Sequence, residues 1–210
     1  CVKGCPAGVE IPRFLKAFAD GDFAEAYAVL RRSNVLPEMC GGICPAGAQC
    51  EGGCLEGIFC EHPVAVRDIQ LATSRIARLQ GLTGIRLPAE ESGRRVAVVG
   101  GGPAGIACAV KLLEAGHAVT LYERGGRLGG TPSNLIPAAR LGDGQAEIEA
   151  ILAPARAAGR LDVRFGRGLG KGLTLDALRS GYDAVFLAMG LGGSASLGDA
   201  PGVVDALSFL

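Results

Sequence analysis

Seven of the eight cysteines fall within the first 60 residues: Cys1, Cys5, Cys40, Cys44, Cys50, Cys54 and Cys60. Three residues separate Cys1 from Cys5, and Pro6 follows. Bacterial ferredoxin-type cysteine runs finish this way, and in two-cluster proteins the last cysteine ligates the other cluster. A second set stands in CGGICPAGAQCEGGC, where Cys44 precedes Pro45 and is followed by Cys50 and Cys54. Thiolates grouped like this hold iron–sulfur clusters, and the chemistry they predict is electron transfer. Two other uses of clustered cysteines compete. Structural zinc sites usually show C-x2-C knuckles. This chain has none, and its gaps are three and five residues. Disulfides require an oxidising compartment. The sequence shows no signal-peptide pattern and no apolar run of about 20 residues that would span a bilayer. Reduced thiols in a cytoplasmic protein are therefore expected.

A second chemistry follows from residue 94 onward, where the pattern becomes strand, turn, helix. Val96, Ala97, Val98 and Val99 form a short apolar run suited to a buried strand. It leads into Gly100, Gly101, Gly102, Pro103, Ala104 and Gly105, a G-x-G-x-x-G run between a strand and a helix. Gly100 permits the tight turn, Gly102 lets backbone approach a pyrophosphate, and Gly105 allows close helix–strand packing. The helix N-terminus offers N–H groups and a positive dipole end to phosphate. Glu123, at the tip of the next strand, is placed to accept from ribose hydroxyls, and its charge disfavours a 2′-phosphate. FAD and NAD share this fingerprint. The ERGGRLGG segment that follows, with its Gly129 and Gly130 pair, resembles the flavoprotein version. Arg140, in IPAARL, is a cation that could meet the flavin or its phosphates.

These residues need elements to position them. The first 80 residues read as a helical cysteine-bearing unit, residues 81–93 as a linker, and residues 94–210 as an α/β unit. Phe14, Leu15 and Phe18 follow Pro12 at helical spacing. Asp22 with Glu25 makes a capping box for a second helix, with a stripe of Phe23, Ala26, Tyr27 and Leu30. Pro37 is expected to end that helix. A third is expected from Pro63, facing inward through Val64, Ile69, Thr73, Ile76 and Leu79. Beyond the glycine loop come a helix to about Ala115, a strand over residues 118–122, a helix over 144–158, and a strand at 161–165. A short helix over 175–179 and a buried strand over 182–190 complete the reading. Equal numbers of basic and acidic residues, 21 each, leave no basic stretch for nucleic acid or anionic lipid. The 34 glycines are not periodic, which excludes collagen-like and repeat architectures. Cys108 reads as a buried structural thiol. Cys40 and Cys60 read as bystanders, with emergency ligation the alternative, and His62 and His117 take no role.

The order of C-x3-C-P, helices, CxxxCPxxxxxCxxxC, VAVVGGGPAG, YERGGRLGG, IPAARL and YDAVFLAMG resembles a known family. It is similar to the small subunit of glutamate synthase and the N-terminal region of dihydropyrimidine dehydrogenase, over essentially the whole chain. The resemblance implies an N-terminal α-helical iron–sulfur domain followed by a partial Rossmann-like FAD-binding domain. It implies electron transfer among NAD(P)H, FAD and 4Fe–4S clusters toward a catalytic partner subunit or domain. One cluster would be held by Cys5, Cys44, Cys50 and Gln70. Another would use Cys1 and Cys54 with two cysteines upstream of these residues. The NAD(P)H domain of the family would likewise lie outside them, so the sequence is expected to be truncated at both ends. Two readings of other classes stay open: a zinc-stabilised interaction domain fused to a dinucleotide-binding sensor module, and a flavin disulfide reductase, which lacks its redox C-x2-C.

Overall fold

The computed structural model describes residues 1–142 and 144–191. Helix α1 (Ile11–Ala19) carries Pro12 in its first turn, where a missing N–H costs no hydrogen bond. Helix α2 (Phe23–Ser33) begins at the expected cap, with the Glu25 N–H donating to the Asp22 carboxylate at 2.9 Å. Ile11 and Phe14 of α1 join Val29 and Leu30 of α2 in one buried cluster, completed by Val9 and Val66.

Pro37 does not simply end α2. It opens a further helix, α3 (Pro37–Ile43), which the sequence reading missed. Proline is as much a first-turn residue as a terminator, and here the first role holds. A short helix, α4 (Glu56–Phe59), follows the cysteine loops. The third predicted helix is α5 (Val66–Leu79), three residues later than expected from Pro63. Its buried positions are Val66, Thr73, Ser74 and Ala77, while Leu79 is 81% exposed. Thr73 and Ser74 go inward because each hydroxyl donates to a backbone carbonyl four residues back, at 2.7 and 2.8 Å.

Helix α3 is short, contains Gly41 and Gly42, and has Leu36 as its N-cap with no side-chain bond. Propensity alone would not hold it. Tertiary contacts do. The Glu147 carboxylate accepts from the Glu38 N–H at 2.7 Å and the Met39 N–H at 2.8 Å, capping the helix from far along the chain. The buried Glu38 side chain takes a two-pronged bond from Arg78 of α5, at 3.0 and 3.1 Å. Gln70 of α5 donates through Nε2 to the Pro37 carbonyl at 2.8 Å.

The described chain divides into two compact units. One comprises Cys1–Gly84 with Gly142–Ile151; the other comprises Ile85–Leu141 with the residues from Leu152 onward. In the second unit, strand β1 (Arg95–Val99) runs into helix α6 (Pro103–Glu114), which returns to strand β2 (Ala118–Glu123). Short helices α7 (Gly130–Leu135) and α8 (Ala138–Leu141) follow. Then come helix α9 (Gly144–Ala157), whose residues through Ile151 belong to the first unit, strand β3 (Leu161–Phe165) and two two-residue strands, β4 (Gly168–Leu169) and β5 (Gly172–Leu173). Helix α10 (Leu175–Gly181) and strand β6 (Ala184–Leu187) complete the described elements.

The main sheet is parallel, in the order β3-β2-β1-β6. Val96, Ala97, Val98 and Val99 are all buried, as a central strand requires. Ile106, Ala109, Val110 and Leu113 of α6 are fully buried. The strand expected to be buried over residues 182–190 is shorter and more open: Phe186 is 41% and Leu187 47% exposed. Among the described strands it pairs with β1 alone. Residues 81–93 form no helix or strand, and the buried Ile85 anchors them.

Burial pushes the Glu147 carboxyl up to about 7, against the two backbone N–H groups that favour its ionised form. Between the ordinary carboxyl value and about 7, the folded chain holds a proton that the unfolded chain has lost. Glu147's share of stability is therefore full below that window and falls as pH rises through it. Glu147→Gln should flatten the stability profile between about pH 4.5 and 7 in denaturant melts. An unchanged slope would contradict this.

Candidate functional site

Cys5, Cys44, Cys50 and Gln70 line one cavity of about 180 Å³ in the first unit. Cys5 follows a 3-10 turn at Val2–Gly4, and Cys50 lies just beyond a second at Ala46–Ala48. Cys44 is the C-cap of α3, and Gln70 sits in the first half of α5. Cys5 and Cys50 pack against the Val9, Ile11 and Val66 cluster, which supplies the apolar wall. The two cysteine loops approach at Gly4, where a Cβ would lie 2.7 Å from the Gln49 carbonyl oxygen and 3.3 Å from Cys50 Cα. Any side chain at Gly4 would push them apart.

The Gln70 amide is oriented by its bond to the Pro37 carbonyl, which fixes Nε2 and leaves Oε1 as the acceptor end. The Cys40 thiol beside Cys44 holds the latter's pKa down to about 7, while burial works the other way. Cys40 itself is pushed far up by Cys44 and by burial, so it stays protonated. Burial raises Cys50. The sequence reading set Cys40 aside, yet it lines the same cavity. Its i, i+4 relation to Cys44 was the signal available, once α3 is known to be helical.

Cys1 and Cys54 stand apart from this cavity. The Cys1 nitrogen lies 3.3 Å from the Gly53 carbonyl, which brings the residue beside the Cys54 loop. Backbone N–H groups, Val64's first and then those of Gly57 and Glu56, hold the Cys54 thiol below its ordinary value. All eight cysteines are free thiols. Among the described residues no three Cys, His, Asp or Glu side chains converge as a single-ion site demands. A cluster asks for a different arrangement, with each ligand on its own iron around a central volume. Three cysteines and a glutamine lining one cavity fit it. His117 binds Ser92 at 2.6 Å in the second unit, and Cys60 is exposed beside Glu56.

In the second unit the glycine loop lies at the carboxyl end of β1. Beyond β1 the chain goes to β2 and β3 on one side and returns to β6 on the other. Such a switch point is where open parallel sheets leave a crevice. Gly100 has φ +110°, which only glycine tolerates well. A Cβ on Gly105 would strike the Gly100 carbonyl oxygen, so the first turn of α6 rests directly on the loop. Gly102 caps α6 without a side chain, and the exposed Pro103 and Ala104 leave the first-turn N–H groups open to an acceptor.

Glu123 has a role the sequence reading missed. Its carboxylate accepts from Gly101 N–H at 2.8 Å and Gly125 N–H at 2.7 Å, while Gly129 N–H donates to the Gly101 carbonyl at 2.7 Å. The acidic residue thus braces the glycine loop, and each oxygen keeps a further lone pair for a ligand hydroxyl. Gly130 opens α7, and Arg140 sits exposed on α8.

The comparisons agree with this two-part layout. Residues 1–81 match the family described as dihydropyrimidine dehydrogenase domain II, 4Fe-4S cluster. Residues 98–135 match the NAD(P)-binding Rossmann-like domain. The chain is 35% identical over 217 residues to the glutamate synthase (NADPH) small chain of Mycobacterium tuberculosis, covering all of this chain and 43% of that one. Against the Escherichia coli K12 glutamate synthase (NADPH) small chain it is 33% identical over 215 residues, covering 100% and 44%. The Schizosaccharomyces pombe glutamate synthase (NADH) is 38% identical over 189 residues, 89% of this chain and 9% of that one. The chain is thus an oxidoreductase-type sequence that joins an iron–sulfur domain to a Rossmann-like domain. Over its whole length it is a homologue of the glutamate synthase small chain. It spans under half the length of those small chains. Among the described residues no helix is long and apolar enough to cross a membrane.

Gly105→Ala places a methyl against backbone that cannot swing away, a strain of about 1–3 kcal/mol. FAD titrated into this variant should bind roughly tenfold more weakly, or worse. Gly126→Ala, where a Cβ meets nothing within 4 Å, should bind as the parent does. Equal affinity in all three proteins would contradict the loop assignment.

Proposed function

We propose that this chain is the electron-transfer portion of an FAD- and iron–sulfur-dependent NAD(P)H oxidoreductase of the cytoplasm, delivering electrons to a catalytic partner subunit or domain. The observation that carries the reading is the single cavity lined by Cys5, Cys44, Cys50 and Gln70. When bound, the flavin and clusters supply the step from hydride delivery to single-electron transfer. The protein's part is to bind, orient and exclude water.

Cys5, Cys44 and Cys50 provide three thiolates, and the Cys40 thiol holds Cys44 below its ordinary value. Gln70 provides a neutral fourth ligand through Oε1, its amide held in place by the Pro37 carbonyl. An amide in place of a thiolate removes one negative charge from the ligand set, which raises a cluster's potential. Val9, Ile11 and Val66 keep the cavity wall apolar. Cys1 and Cys54 form half of a second site, completed by two cysteines from outside these residues. In the second unit, Gly100, Gly102, Pro103, Ala104 and Gly105 take the pyrophosphate on the α6 N-terminus. Glu123 takes the ribose, Gly129 and Gly130 give close backbone approach, and Arg140 supplies a cation toward the flavin or its phosphates.

The test is the iron, sulfide, zinc and flavin content of the chain purified without oxygen. About four irons and four sulfides per chain, with FAD taken up, are expected for one complete cluster. Zinc without sulfide in a chain that takes up no flavin would overturn the reading and favour a structural metal domain beside a nucleotide fold.

A further inference from the structure

The Cys40 thiol is absent from the ligand set just given, yet it lines the same cavity as Cys44, Cys50 and Gln70. The Cys44 N–H donates to the Cys40 carbonyl at 2.8 Å, so the two residues are one helical turn apart and share a face. Gln70 reaches that turn from α5: a Cβ on Gly41 would lie 3.6 Å from its Nε2, and the amide donates to Pro37 at the start of α3. The thiol donates to Asn34 Oδ1 at 3.5 Å, and Asn34 also lines the cavity. A glutamine amide and a thiol thus stand at the same wall, where three cysteine ligands would leave one iron of a cluster without a thiolate.

We propose that Cys40 is the reserve ligand of this site, taking the iron otherwise held by Gln70 when the amide is withdrawn. The inference rests on the cluster reading above. In the exchange, the iron–oxygen bond to Gln70 Oε1 breaks and an iron–sulfur bond to Cys40 Sγ forms. The thiol proton leaves to a water molecule or buffer base, as thiolate ligation requires. No electron is transferred, and the thiolate count rises from three to four. The amide is preferred at rest because it is already fixed by Pro37 and has no proton to lose. The exchange makes the site able to hold a fourth iron in two charge states of the ligand set, with the lower potential on the thiolate side.

Four proteins test this after anaerobic loading with iron and sulfide: the parent chain, Gln70→Ala, Cys40→Ala and the double variant. The readouts are iron per chain, the EPR signal of the oxidised cluster, and the midpoint potential. The parent and both single variants should keep about four irons, and Gln70→Ala should titrate at a lower potential than the parent. The double variant should lose one iron and show the signal of an oxidised three-iron cluster. Where Cys40→Ala lowers the melting temperature, Cys40→Val, which fills the same space, takes its place. A three-iron signal from Gln70→Ala alone would overturn the proposal, and so would a double variant that keeps four irons. A parent chain that takes up neither iron nor sulfide would instead overturn the cluster reading beneath it.

Discussion

The seating of α3 against α5 is the constraint on which the cysteine-lined cavity depends. Helix α3 is seven residues long, contains two glycines and lacks a cap of its own. Glu147 supplies the cap, and the Arg78–Glu38 pair fixes the helix to α5. Breaking a buried pair of that kind by removing one partner costs about 3–5 kcal/mol, because it strands the other charge. Arg75 stands 3.4 Å from the same carboxylate, so the loss of Arg78 alone falls toward the low end of that range. The consequence is positional. Cys40 and Cys44 ride on α3, Gln70 rides on α5, and the Gln70–Pro37 bond ties the two together at the cavity wall.

The dinucleotide unit rests on backbone rather than charge. The glycine loop can turn at Gly100 and meet α6 at Gly105 because neither residue carries a side chain. Glu123 then ties the loop to the tip of β2 through two short hydrogen bonds from backbone N–H groups. A residue that the sequence reads as a ribose acceptor is, in the fold, a brace. The same economy appears at Gln70, whose Nε2 serves the fold while the residue lines the cavity.

Much of this could be read before the structure, and the reasons differ by element. The glycine fingerprint was legible because each glycine answers a local steric demand. The α2 start was legible because Asp22 and Glu25 satisfy each other within one turn. Helix α3 was not, since Pro37 reads equally as a stop and a start, and its cap comes from a residue more than a hundred positions away. The inward face of α5 was read rightly at Thr73 but not at Leu79, which is exposed, nor at Ser74, which satisfies its hydroxyl on the helix itself and so can be buried. The strand at residues 182–190 was read as buried from its apolar run; among the described strands Ala184–Leu187 pairs with β1 alone, and Phe186 and Leu187 are exposed. Cys40 was read as a bystander for the same reason that α3 was missed: without the helix, nothing places it one turn from Cys44.

The central claim is that one cavity gathers Cys5, Cys44, Cys50 and Gln70 around a cluster. The most direct measurement is a crystal structure of the anaerobically loaded chain, with anomalous scattering recorded across the iron edge. The account predicts a compact group of iron peaks inside that cavity, with sulfur atoms of Cys5, Cys44 and Cys50 and the Gln70 Oε1 each adjoining one of them. Iron elsewhere, or a lone peak at the zinc edge, would contradict it.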